Sequence, residues 1–498
     1  MNPVPRPSLF GRAMLALLLT IGFYGLALGI AFGLLYLIYL EIAVLGRINV
    51  KLTFFAFLGT VVILWSIFPR IDKFTAPGPR LKQSKFPELF KEIEKIAHAT
   101  RQEMPSEVYL LTEVNAFVAE RGGLIGIGSR RVMGIGLPLF HLLGVDELNS
   151  ILAHEFGHFY GGDTALGPWI YKTRAAIIRT VQSVGNTNQW LLIPFEAYAK
   201  MFLRVTNAVS RQQEFTADQL AARTVGARAT MAGLQKIHKY GLAFDAYFRQ
   251  DYAPVIEAGY RPPMLGGFAM FLKTPQIQEA VNNYYDQQAT QGQSDPYDTH
   301  PSLKERIAAL QGLPEGQPLN DCEAFTLLPG NLEGLESLVL KEIMRREEDF
   351  TSLKEIAWDK VAEYAFLPQW EKAVETYRPI LKDITPGTLF ETTQNIPRLF
   401  AKFAQAGDFL AENVRPEQVP QDAQAQITGN LLGTALAVML HRAGWMIKTN
   451  VGEDVALLKE TRELKPFSLS SEVVSRQISA DQWQTICKEN QISDLALA

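Results

Sequence analysis

The sequence predicts a mostly helical α+β fold: two N-terminal membrane-spanning helices, a domain with a small sheet, and a helical C-terminal domain. Three observations predict it. Two long apolar runs without a charge stand before residue 70, two β-rich runs flank a cluster of glycines, and the other apolar residues recur mostly at helical spacing. A chain of 498 residues is too long for one compact core. The expected division is a two-span anchor at 1–70, a second domain at 71–311 and a third at 322–498, with Gly312 to Pro318 as the boundary.

The first apolar run covers 28 positions, Ala13 to Leu40, and the second 18, Leu52 to Pro69. At about 1.5 Å per residue both are long enough for a hydrocarbon core of roughly 30 Å, the first with length to spare. A secretory signal has a shorter apolar region, so the first run reads as a retained anchor. Arg6 and Arg12 precede it, and Arg70, Lys73, Arg80, Lys82 and Lys85 follow the second run, whereas the intervening loop carries only Arg47 and Lys51 opposed by Glu41. The positive-inside rule then puts both ends in the cytoplasm, and a bacterial inner membrane is the expected setting. Tyr36, Tyr39 and Trp65 stand near span ends, where amphipathic rings favour the interface. Gly25, Gly29 and Gly33 repeat every four residues and form a small-residue face for another helix, either the second span or a second copy of the chain.

Pro87 to Glu103 has helical spacing at Leu89, Phe90, Ile93, Ile96 and Ala97. Glu107 to Val118 and Arg131 to Gly136 read as two strands joined by a turn rich in glycine. From Val145 the pattern is helical, with Asp146 as N-cap and Gly161 and Gly162 as the stop. Trp169 to Ser210 is broken by Lys172, Arg174, Arg179, Glu196, Lys200 and Arg204, and reads as amphipathic helices. Another helical block covers 211–245, 286–298 reads as a polar loop, and a short helix follows at 302–311.

Composition limits the chemistry. A net charge of −4 gives no electrostatic case for nucleic acid as a partner. Only Cys322 and Cys487 are present, too few for a disulfide framework or a thiolate metal site. A metal must therefore be held by His and carboxylates, and the chain has seven His.

The sharpest signal is His154-Glu155-Phe156-Gly157-His158, an HExxH on the predicted helix. Residues four apart share a helical face, so both imidazoles reach one ion. Glu155 stands about 100° round from His154, where it reaches a water without binding the metal. Zinc hydrolysis requires that arrangement. Two histidines do not complete it, since catalytic zinc takes three protein ligands. Thr164 occupies the place where an elongated HExxHxxGxxH motif puts its third histidine, and Asp163 is one place early. Glu214 is the preferred third ligand. Asp218, four residues on, shares its face and is suited to accept the outer N–H of a ligand histidine. His98, His141, His238 and His441 have no partner at ligand spacing and read as surface or core residues.

HEFGH with the downstream SRQQEFTAD resembles the HtpX and CAAX-prenyl-protease family of integral-membrane gluzincins. The resemblance covers about 85–311 and implies a gluzincin-like fold, one zinc ion, and an ExxxD segment that supplies the third ligand and its supporting Asp. Val114-Asn115-Ala116-Phe117 is similar to the family's Asn-Ala-aromatic segment, which implies that Asn115 lies beside the substrate cleft. Asp298-Thr299-His300-Pro301-Ser302 with Arg306 resembles its THP…R segment, which implies that His300 and Arg306 bind substrate and stabilise the oxyanion. The expected activity is metalloendopeptidase cleavage of protein or peptide substrates, in membrane-protein quality control. An extended substrate would add a strand against 131–136. The rival reading is a catalytically inactive membrane adaptor or chaperone that keeps the fold.

Overall fold

The computed structural model describes residues 9–68, 74–122, 129–159, 167–295, 297–320, 322–344, 347–410 and 414–498. The expected stop at Gly161 and Gly162 and the positions of Asp163 and Thr164 lie outside the described residues. Two compact units divide the chain, one of residues 1–241 with 281–343 and one of 242–280 with 344–498.

In the first unit, helices α1 (Leu9–Tyr39) and α2 (Val50–Ile67) are the two long apolar helices, and α1 runs on into a π-helical turn at Leu40–Val44. Both are long and apolar enough to cross a membrane. Phe23, Ala27 and Ala31 of α1 pack with Ile63 and Ile67 of α2. At the far end the Thr53 hydroxyl donates to the buried Glu41 carboxylate at 2.6 Å. Open space surrounds Gly25, Gly29 and Gly33, so the glycine face is not the one that meets α2.

The small sheet is built from β1 (Arg80–Leu81), β2 (Glu107–Leu111), β3 (Ala116–Arg121) and β4 (Arg130–Gly136), in the order β1-β2-β4-β3. Helix α3 (Pro87–Thr100) lies between β1 and β2 in sequence. The single strand expected over 107–118 is two strands, because residues 112–115 turn the chain so that β2 and β3 flank β4. The Asn115 carbonyl accepts from Gly136 N–H at 2.8 Å there. Strand β4 pairs in parallel with β2 and antiparallel with β3, Val118 opposite Met133. Both its edges are therefore filled, which overturns the expectation of a substrate strand against 131–136. The free edge among the described strands near the HExxH segment is β3.

Helices α4 (Leu137–Leu142) and α5 (Val145–Gly157) follow. Gly144, not Asp146, is the N-cap of α5; its N–H donates to the Glu147 carboxylate at 2.8 Å. Asp146 instead accepts from Asn320 N–H at 2.9 Å. Backbone bonds from Val145 N–H to Cys322 and from Ala324 N–H to Leu143, both 2.9 Å, strap Cys322 and Ala324 across the start of α5. Leu148, Leu152 and Phe156 lie on its buried side.

Two further helices, α6 (Gly167–Gly185) and the 36-residue α7 (Gln189–Thr224), form a hairpin whose near ends join the α1–α2 core through Ala176, Ile177, Val184, Phe195 and Phe202. Then come α8 (Ala227–Tyr247), α9 (Ala253–Glu257), α10 (Met264–Phe271), α11 (Pro275–Gln291) and α12 (Leu303–Leu310). Helix α11 occupies part of the expected loop at 286–298.

The second unit has an aromatic cluster in which Phe268 and Phe271 flank Tyr247, and Trp358 stands beside Tyr247 and Tyr252. Its larger core surrounds the helix Gln421–Arg442, with Phe403, Leu457 and Trp483 fully buried. A three-stranded antiparallel sheet of Met446–Lys448, Ala456–Lys459 and Arg462–Leu464 adds strands to a region expected to be mostly helical.

Candidate metal centre

Two helices bring the site together. Helix α5 carries His154 and Glu155 and ends at His158, and α7 carries Glu214 and Asp218. They approach closely at Gly157, where an added Cβ would lie 2.7 Å from the Ala217 Cα. No larger residue fits without parting the helices.

The His154 and His158 rings stand edge to face with centroids 4.9 Å apart. The Nε2 of His154 is 3.4 Å from Glu214 Oε2, and the Nε2 of His158 is 3.7 Å from Glu214 Oε1. Ligand atoms of His154, Glu155 and His158 also lie within 4.8 Å of one another. Glu155 sits at the metal edge through sequence adjacency, whereas Glu214 arrives from a second helix and meets both imidazoles. Glu214 Oε2 is buried, with His154 Nε2 at 3.4 Å and Arg306 Nη2 at 3.5 Å and no closer hydrogen-bond partner. A buried carboxylate facing two imidazole Nε2 atoms completes a set of two nitrogen donors and one oxygen donor that suits a divalent metal.

A second layer holds the first. His154 Nδ1 is 2.9 Å from Asp218 Oδ1, which leaves Nε2 for the metal. Arg306, on α12, grips Asp218 with both ends of its fork, Nε to Oδ2 at 2.8 Å and Nη2 to Oδ1 at 2.7 Å. The Arg306 guanidinium is buried, and its Nη2 also lies 3.5 Å from Glu214 Oε2. His300 Nδ1 is 3.1 Å from Glu214 Oε1, and 61 % of its side chain is exposed, so it faces the opening. Asn115 is exposed at the start of β3, beside that edge.

The electrostatics follow from burial and close pairing. Burial alone would lower the His154 pKa, but hydrogen bonds with Asp218 and Glu214 outweigh it and lift the value to about 10. Burial lowers His158 to about 4. Burial, with Glu214 adding to it, raises Glu155 from 4.5 to about 7, although a Val118 backbone N–H on β3 donates to its carboxylate. Burial would raise Glu214 and Asp218 too, but hydrogen bonds from His154 and His300, and from Arg306 and His154, hold them low. Among the described carboxylates of this centre, Glu155 is the one raised toward neutrality, as a proton-exchanging group requires.

The structure gathers His154, Glu155, His158, Glu214, Asp218, His300 and Arg306 at one place, with Asn115 on the neighbouring strand. One neighbour was missed. His238 of α8 is half-buried, holds the Leu234 carbonyl at 3.0 Å through Nδ1, and feels Arg306, His300 and Asp218. Its burial lowers its pKa. No spacing in the sequence links it to the motif.

Residues 83–313 match the model of peptidase family M48. A protease HtpX homolog of Thermoplasma volcanium is 25% identical over 244 residues, 46% of this chain and 75% of that protein. Protease HtpX of Pseudomonas fluorescens is 24% identical over 296 residues, 53% of this chain and 86% of its own length. A homolog from Acaryochloris marina is 24% identical over 266 residues, 50% and 79% of the two chains. No solved structure matches the chain. The matched segment encloses every residue of the centre: residues 83–313 are similar to HtpX-like peptidases of family M48, in a chain with two helices long and apolar enough to cross a membrane.

Proposed function

We propose that this protein is a membrane-anchored zinc metalloendopeptidase in which His154, His158 and Glu214 hold one zinc ion and Glu155 is the general base. The observation that carries the reading is the buried Glu214 carboxylate, 3.4 and 3.7 Å from the two imidazole Nε2 atoms. A zinc ion there supplies a Lewis acid that polarises a carbonyl and makes water acidic enough to attack near neutral pH. Glu155 takes the proton of the attacking water and returns it to the leaving amine. Asp218, clamped by Arg306, keeps His154 in the tautomer that offers Nε2. His300, at the opening, donates to the oxygen that gains charge, and Asn115 holds the substrate backbone. The substrate adds a strand to the free edge of β3, which brings the scissile bond past Glu155.

The same reading makes 71–311 the peptidase domain and puts it on the cytoplasmic side of a bacterial inner membrane, with membrane proteins as substrates for quality control. Pairing of copies through Gly25, Gly29 and Gly33 belongs to it as well. Glu155→Gln tests the mechanism: the variant purified from membranes keeps its zinc and loses casein cleavage. Full cleavage by a zinc-loaded Glu155→Gln chain would refute the assignment.

A further inference from the structure

Helix α7 carries more than a metal ligand and its support on one face. Asn207, Arg211, Glu214 and Asp218 stand four, three and four residues apart, which on an α-helix makes a single stripe. The segment 297–306 is laid along that stripe in step with it. Asn207 Nδ2 donates to the Tyr297 carbonyl at 2.6 Å, and Arg211 Nη1 donates to the Asp298 carbonyl at 2.7 Å. Further along, His300 Nδ1 is 3.1 Å from Glu214 Oε1, and Arg306 forks onto Asp218. The last two pairs belong to the metal centre. The first two have no part in the chemistry proposed for it.

Asn207 is 2% exposed, and both ends of its amide are engaged. Arg174, on α6, donates through Nη2 to Asn207 Oδ1 at 2.7 Å and to the Thr206 hydroxyl at 3.3 Å. A guanidinium only donates and a peptide carbonyl only accepts, so the group between them must accept at one end and donate at the other. An amide does both. A carboxylate in its place would accept from Arg174 and offer nothing to Tyr297. The charged donor at Oδ1 also polarises the amide and strengthens what Nδ2 gives to the carbonyl.

The segment that carries His300 does not fix its own place. Its internal bonds are local: Tyr297 N–H to the Asp295 carboxylate at 2.8 Å, Asp298 N–H to the Asp295 carbonyl at 3.0 Å, and His300 N–H to the Asp298 carboxylate at 3.0 Å. They shape a turn without saying where it lies on α7. Helix α12 is placed independently, since Leu303 and Leu310 are buried with Ala222 and Leu234. Arg306 therefore keeps its position through its own helix, and His300 depends on the ties at Tyr297 and Asp298.

We infer that Asn207, held by Arg174, is a positioning residue that sets the register of 297–300 along α7 and thereby places the His300 imidazole at the opening of the metal centre. The inference deepens the proposed reaction and rests on it for the role of His300.

The test is Asn207→Asp in the full-length chain purified from membranes, alone and combined with His300→Ala. The variant keeps the contact with Arg174 and sets a carboxylate oxygen against the Tyr297 carbonyl. In the parent background kcat/KM for casein should fall roughly 10- to 100-fold, as for a displaced oxyanion donor. Where His300 is already Ala the further loss should be less than about twofold, because the two changes act through one group. Zinc per chain should stay at the parent level in both. Equal losses in the two backgrounds, no loss in the parent background, or loss of zinc would each overturn the inference. Amide exchange reads the same placement without activity: residues 297–300 should exchange faster in Asn207→Asp while β2 does not change. Unchanged exchange at 297–300 would also overturn it. A zinc-loaded parent chain that cleaves nothing would refute the proposed function instead, and exchange would still decide the register.

Discussion

Glu214 meets two histidines only because a second helix delivers it, and the side chains around it divide the work by charge state. Burial raises Glu155 to about 7, the range in which it can exchange a proton near neutrality. A bound dication favours its ionised form, so the acid limb of kcat/KM falls between 4.5 and about 7. Activity rises with pH through that limb as Glu155 loses its proton; a pH–rate profile without a limb in that interval would contradict the role. His154, lifted to about 10 by Asp218 and Glu214, holds a proton at neutral pH that zinc must displace. Apparent zinc affinity therefore gains about tenfold per pH unit above neutrality, for one proton released. Competition with a chelator measures it. Arg306→Lys breaks the two-pronged grip on Asp218, and zinc binding should weaken roughly 10- to 100-fold. Unchanged affinity would remove Arg306 from the supporting layer. HExxH was legible in the sequence because both histidines belong to one helical turn. The fork of Arg306 on Asp218 was not, since 88 residues separate them and only folding turns the guanidinium inward. His238 was illegible for the same reason.

The α5–α7 crossing at Gly157 decides whether the ligands meet. Gly157→Ala puts a Cβ 2.7 Å from the Ala217 backbone, so the helices must part. We expect a loss of about 1–3 kcal/mol in stability from the overpacking, with weaker zinc binding. Thermal unfolding of the metal-free chain and chelator competition measure the two effects. Wild-type values for both would show that the close approach is dispensable. Helices α3 and α12 and the two spans were readable from spacing and length. The division of 107–121 into β2 and β3 was not, because Leu111 to Ala116 has no glycine or proline to announce the turn. That turn leaves β3 as the edge beside Glu155. The cap of α5 was misread in a related way: Asp146 is a good N-cap residue, but a distant backbone N–H at Asn320 claims its carboxylate.

Across the whole chain, the spans and the peptidase domain share one core through α6 and α7. Removing residues 1–68 would uncover Ile177, Phe195 and Phe202, which pack against Phe23 and Ile63. The shortened chain should need detergent to stay in solution. A monodisperse, detergent-free product would show that the spans are only a tether. The charged residues at 169–205 concealed this contact in the sequence, because length and charge reveal a full span far better than a hairpin beside one. The second unit is legible as a helical fold with two small sheets.

The central claim is that a carboxylate from α7 completes a site begun by two histidines on α5. Zinc per chain, measured at a fixed buffered free-zinc level in the full-length protein and in Glu214→Ala, tests it most directly. The account predicts one tightly held zinc in the parent chain and in Glu155→Gln, and its loss in Glu214→Ala. A Glu214→Ala chain that keeps its zinc at the parent affinity would contradict it.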